Sequence, residues 1–109
     1  MKIAICDDNE TELNRIRELL EIYACDKGQK FFIKCFTSSV ELASTAEFEK
    51  YDIYFLDIIM PVMDGIEFCK AVKGNFDTSH IPLILLTAKS KEEDRVEAYE
   101  SGADAFIAK

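Results

Sequence analysis

The chain has 109 residues, 49% of them hydrophobic, with four glycines and two prolines, a balance that suits one globular domain and excludes a disordered or fibrous one. Its net charge of −8 excludes non-specific nucleic-acid binding, which needs a basic footprint, and suits a protein that holds a cation or meets a basic partner. No apolar run reaches the roughly 20 residues of a membrane span and no signal-peptide pattern precedes the first strand, so a cytoplasmic location is expected.

In chain order, strands and helices alternate with no linker, repeat or low-complexity segment. Residues 2–6 (KIAIC) form a short apolar strand that stops at Asp7, Asp8, Asn9 and Glu10. The next helix carries Leu13, Ile16, Leu20, Tyr23 and Ala24 as a 3.6-residue stripe, opposite a charged face of Glu12, Arg15, Glu18 and Glu21, and closes at Lys27 and Gly28. Residues 31–36 (FFIKCF) are a second strand, less uniformly apolar, as suits a sheet edge. Ser38 with Glu41 opens a short helix to about residue 46. Residues 53–56 read as a strand buried on both faces that stops on Asp57, before a loop marked by Pro61 and Gly65. Asp64 with Glu67 makes a capping-box-like start for a helix over 65–72 that buries Ile66, Cys69 and Val72. A polar connection over 75–80 leads to a strand at 81–86, with Pro82 near its start, where a missing N–H is tolerated. Ser90 with Glu93 caps a fourth helix, whose acidic start (Glu92, Glu93, Asp94) the helix dipole favours, and Gly102 ends it as a left-handed residue. Residues 105–108 are the fifth strand, followed by Lys109.

This alternation implies an α/β fold, a parallel sheet with right-handed crossovers and helices on both faces. The first, third and fourth strands are the most apolar and belong in the centre, which the order 2-1-3-4-5 achieves. Asp7, Asp8 and Asp57 then flank the point where the chain reverses direction, the place where open α/β sheets keep their ligands. A carboxylate at the tip of a dry strand is costly to place for packing alone, so Asp57 is there to react or to bind. Three carboxylates converging there repel one another unless a cation is bound, and a few hard oxygen ligands suit Mg2+ completed by waters and a phosphate. Thr87 and Lys109, after the fourth and fifth strands, add polar groups at the same end. Cys6, Cys25, Cys35 and Cys69 lack metal-type spacing and read as reduced buried thiols. His80 reads as a turn residue, and Phe31, Phe32 and Phe36 as packing rather than a base-stacking platform.

These residues carry a family resemblance over the whole chain. Cys6, Asp7 and Asp8, the stretch LDIIMPVMDG at 56–65, LLTA at 85–88, GADAF at 102–106 and Lys109 are similar to the receiver domain of two-component response regulators. The resemblance implies the flavodoxin-like, three-layer fold, so the strand order rests partly on it. It implies that Asp57 takes a phosphoryl group from a phosphohistidine, on a sensor histidine kinase or a histidine phosphotransfer protein. Asp8 and Asp57 would ligate Mg2+ directly and Asp7 through water, with the Ile59 carbonyl completing the protein's share. Thr87 and Lys109 would contact the phosphoryl oxygens, and Thr87 would then move inward with Phe106 following. Such a domain is no turnover enzyme; its chemistry is self-phosphorylation and self-dephosphorylation. Ile59 and Lys89 flank the approach of the hydrolytic water by position, one crowding it and the other screening the phosphoryl oxygens, so slow dephosphorylation is expected.

Two departures from the family pattern stand out. The proline that usually follows this lysine and a fifth helix are absent, which makes residues 1–109 a receiver shortened before its last helix, with apolar faces of the first, third and fifth strands open to water and self-association expected. Residues 1–72 resemble receivers of LytTR-type DNA-binding regulators and residues 78–109 those of hybrid histidine kinases, which raises a chimera joined near 73–77. Two other readings compete: a non-signalling engineered or chimeric scaffold of the same fold, and a small Mg2+-dependent phosphatase. The phosphatase needs a general acid beside the leaving group, typically in an Asp-x-Asp arrangement, where this chain has Ile59.

Overall fold

Apolar side chains at both parities of the central strands require a sheet covered on two sides. The computed structural model describes residues 1–46, 50–58, 63–87 and 92–108, leaving aside the side chains of Ala46 and of 92–95. Along them run β1 (Lys2–Cys6), α1 (Glu10–Asp26), β2 (Phe32–Phe36), α2 (Ser39–Ala46), β3 (Ile53–Asp57), α3 (Gly65–Gly74), β4 (Leu83–Thr87), α4 (Glu92–Glu100) and β5 (Ala105–Ala108). All strand pairs are parallel, in the order β2-β1-β3-β4-β5.

Strand alternation divides the core in two. Ile3 and Ile5 pack with Leu13 of α1 on one face. Ala4, Cys6, Tyr54, Leu56, Leu83 and Leu85 point to the other, where they meet Leu42 of α2, Phe68 and Cys69 of α3 and Ala98 of α4. Fully burying one such leucine or isoleucine contributes about 1.5–3 kcal/mol, so the second, larger cluster dominates the stability of the domain.

Local chemistry sets the helix ends. Asn9 caps α1, its Oδ1 accepting from the N–H groups of Thr11 at 3.0 Å and Glu12 at 3.3 Å. Asp64 caps α3 by accepting from the Glu67 N–H at 2.8 Å. Ser38 plays this part weakly for α2, at 3.4 Å from the Glu41 nitrogen. Gly102, at φ 101°, ends α4 in the left-handed region. The expected Ser90–Glu93 cap lies outside the described residues.

Several expectations need correction. β3 is not buried on both faces: Tyr54 and Leu56 are buried, whereas Ile53 and Phe55 are only partly so, Phe55 lining a groove of about 330 Å3 bounded by α1, Leu86 and Ile107. The expected exposure of β1 is absent, because α1 lies directly over Ile3 and Ile5. Tyr23, placed in the buried stripe, is 52% exposed and stacks on Phe31 with ring centroids 6.2 Å apart. β4 starts at Leu83 rather than at residue 81: Pro82 has no N–H, and its carbonyl accepts from the Tyr54 N–H at 3.0 Å. All four cysteines are free, but Cys25 is exposed and Cys35 only partly buried. His80 is exposed, as a turn residue should be.

Candidate metal centre

Strand register brings the acidic residues together. Cys6 lies opposite Leu56, so Asp7 and Asp57 leave neighbouring parallel strands side by side. Asp57 lies opposite Leu86, placing Thr87 one step further along β4, and Thr87 in turn lies opposite Ala108. Asp7, Asp57 and Thr87 therefore gather at the carboxyl edge of the sheet, beside the reversal between β1 and β3.

Asp7 is fully buried, Asp57 is 7% exposed and Asp8 faces solvent. One carboxylate oxygen from each lies within 4.8 Å of the others. At an effective dielectric near 20, two buried carboxylates at such a distance repel by on the order of 3 kcal/mol. The neighbouring thiol registers the same field: burial first, then the charges of Asp7, Asp57, Asp8 and Glu41, push Cys6 up to about 12. Three hard oxygen donors in a strongly negative site, two of them buried and one facing solvent, fit a small divalent cation. Asp7 is itself held in place, its Oδ1 accepting from the Asn9 N–H at 3.0 Å and its own N–H donating to the Phe36 carbonyl at 3.1 Å.

Two further residues shape the site without belonging to it. Gly65 donates its N–H to the Ile58 carbonyl at 2.9 Å, and a Cβ there would stand 2.4 Å from the Asp57 carbonyl oxygen. Only glycine lets α3 start so close to the Asp57 backbone. Ser39, buried at the start of α2, donates its hydroxyl to the Met63 carbonyl and ties α2 to the approach to α3. Sequence reasoning marked Gly65 only as loop punctuation and missed Ser39. Neither a glycine after Asp64 nor a lone serine among Thr37, Ser38 and Ser39 signals such a role by itself.

Thr87 is buried at the end of β4, and Phe106 sits half-buried on β5 opposite Leu85, packed against the larger core cluster. Ile59, Lys89 and Lys109 lie outside the described residues.

A family model described as the response regulator receiver domain matches residues 3–109. The transcriptional regulatory protein ResD of Bacillus subtilis is 35% identical over 108 residues, covering 99% of this chain and 41% of that protein. The transcriptional regulatory protein SrrA of Staphylococcus aureus is 37% identical over 108 residues, with the same 99% and 41% coverage. The signal receiver domain of a signal transduction histidine kinase from Syntrophus aciditrophicus superposes with a TM-score of 0.80 at 32% identity, covering 99% of this chain and 77% of that one. The chain thus spans about two-fifths of the length of the curated relatives it matches.

Proposed function

The chain belongs to the response regulator receiver domains, the phosphoacceptor modules of two-component signalling, and from that premise we propose that Asp57 is the residue that accepts the phosphoryl group. The observation that carries this reading is the meeting of Asp7, Asp8 and Asp57 within 4.8 Å at the reversal of strand order. Asp57 is the member on the central strand, buried and fixed from behind by the close approach of Gly65.

In the proposed reaction, an Asp57 oxygen attacks the phosphorus of a phosphohistidine. The new P–O bond forms as the P–N bond breaks, and the imidazole leaves with a proton. Asp8 and Asp57 would hold Mg2+ directly, Asp7 through water, and the Ile59 carbonyl would complete the protein's ligands. The bound ion would supply positive charge against the phosphoryl oxygens. Thr87 would donate its hydroxyl to a phosphoryl oxygen, and the Lys109 ammonium would pair with another. Inward movement of Thr87, followed by Phe106, would carry the signal along β4 and β5. Ile59 and Lys89 would slow hydrolysis of the acyl phosphate. The donors in this reading are a sensor histidine kinase or a histidine phosphotransfer protein, in the cytoplasm; no helix among the described residues is long and apolar enough to cross a membrane. A second copy of the chain is a further partner.

The test is intact-mass measurement after incubation with Mg2+ and acetyl phosphate. The wild type should gain a single phosphoryl group and Asp57→Asn none; equal labelling of both would reject the assignment. Release of many equivalents of phosphate would instead support the phosphatase reading, and no labelling the inert scaffold.

A further inference from the structure

The turn between β2 and α2 is bonded to both sides of the acidic site. At one end the Phe36 carbonyl accepts from the Asp7 N–H at 3.1 Å, which fixes the close of β2 to the aspartate that follows β1. Three residues on, the Ser39 hydroxyl donates to the Met63 carbonyl. Met63 lies on the stretch that leaves Asp57 and returns at α3. Residues 36–39 therefore reach from the β1 side of the site to the β3 side.

The stretch after Asp57 has a second anchor. Ile58 donates its N–H to the Leu86 carbonyl at 2.9 Å, and its carbonyl accepts from the Gly65 N–H at 2.9 Å. Residues 59–62 thus connect Ile58, held by main-chain bonds, with Met63, held by the side chain of Ser39. That side chain is 1% exposed, so water does not compete for its hydroxyl. It is not spent on capping α2 either, a part that the Ser38 hydroxyl takes toward the Glu41 N–H. A buried hydroxyl is costly beside an apolar group, and alanine is the better helix former at such a position. The use of a serine here lies in its bond to Met63.

We propose that Ser39 is a positioning residue for the metal centre: by tying Met63 to α2, it sets the main chain that follows Asp57 before an ion arrives. The inference rests on the proposed roles of Asp57 and of the carbonyl at residue 59. Ser39 acts through that main chain and is no ligand itself. Groups that hold a metal's ligands from behind are commonly worth about tenfold or more in affinity, because a loose ligand has to be ordered when the ion binds.

Calorimetric titration of the full chain with Mg2+ tests this. Ser39→Ala should weaken Mg2+ binding about tenfold. Ser44→Ala, which removes an exposed hydroxyl bonded to the Glu41 carbonyl within the same helix, should leave it unchanged. Ser39→Cys, similar in size but a weaker donor, should fall between wild type and Ser39→Ala. In labelling by acetyl phosphate, Ser39→Ala should need about tenfold more Mg2+ yet approach the wild-type rate at saturation. A merely structural role would lower the urea midpoint without moving the Mg2+ requirement, and that result overturns the proposal. So does wild-type Mg2+ affinity in Ser39→Cys, the variant that decides if Ser39→Ala does not fold. Equal labelling of wild type and Asp57→Asn would overturn the underlying reading instead, with the calorimetric comparison still deciding the part of Ser39. Absence of Mg2+ binding in the wild type overturns both.

Discussion

At the scale of single residues, the site is a contest between chemistry that wants three carboxylates together and a fold that must tolerate them. Gly65 resolves part of it by letting α3 begin against the Asp57 carbonyl. Gly65→Ala should force the backbone apart, because the obstructing atom 2.4 Å from the new Cβ is main chain rather than a yielding side chain. We expect a loss of about 1–3 kcal/mol, read from urea midpoints, together with weaker metal binding. Asp8→Ala should lower Mg2+ affinity at least about tenfold in calorimetric titration while leaving the urea midpoint nearly unchanged, since Asp8 is solvent-facing. Asp7, Asp8 and Asp57 were legible in the sequence because charged residues that end apolar strands have few structural uses. Gly65 and Ser39 were not, because their roles lie in a close backbone approach and a hydrogen bond to a carbonyl 24 residues away. Neither leaves a local pattern.

At the scale of elements, the joints away from the site are held by one lysine. Lys73, in the last turn of α3, donates to the carbonyls of Ser79 at 3.3 Å and Ile81 at 2.7 Å and to the Asp104 carboxylate at 2.7 Å. Asp104 also accepts from the Leu83 N–H at 2.8 Å, so the starts of β4 and β5 are pinned to α3 together. Burial pushes the Asp104 carboxyl up, but hydrogen bonds from Lys73 and Leu83 and the Lys73 charge outweigh it and hold the group below the ordinary carboxylate range. A depressed acid contributes stability that is fully present above its unfolded-state value and lost as pH falls through the folded one. Asp104→Asn should therefore be less stable than wild type at pH 7, by about 1 kcal/mol after allowing for solvent screening of a half-exposed pair. The gap should close as pH drops below about 3.8, measured by urea unfolding. The elements themselves were legible from periodicity, caps and the Gly102 stop. Errors arose where tertiary contact overrode pattern: Tyr23 has the right spacing for burial, but Phe31 meets it at the rim of α1 rather than beneath it.

At the scale of the whole molecule, the two faces of the sheet are unequally covered. Three helices lie over one face, while α1 lies over the other and leaves Phe55, Leu86 and Ile107 lining an apolar groove beside Leu19 and Leu20. Leu19 and Ile107 are 59% and 47% exposed, and a continuous apolar strip of this kind favours association. Sedimentation of the chain at increasing concentration should show self-association, and Ile107→Glu should suppress it without lowering stability by more than about 0.5 kcal/mol. A monomer at all concentrations would remove the groove as its cause. The layered α/β architecture was visible in the sequence, but this asymmetry was read too broadly, since α1 packs with side chains of β1, β2 and β3 and the open groove lies towards Leu86 and Ile107.

The strand order also dictates how the molecule can be assembled as it is synthesised. β1, β2 and β3 are contiguous in the sheet, and all lie within the first 57 residues. A growing chain can thus pair three strands, and bring Asp7, Asp8 and Asp57 side by side, before β4 has been made. β4 and β5 then add one after the other to a single growing edge, each after a crossover that slows its arrival. Opening should run in the reverse order. Amide exchange is expected to release β5 first, which is bonded on one side only, then β4, with β1 protected longest between its two neighbours.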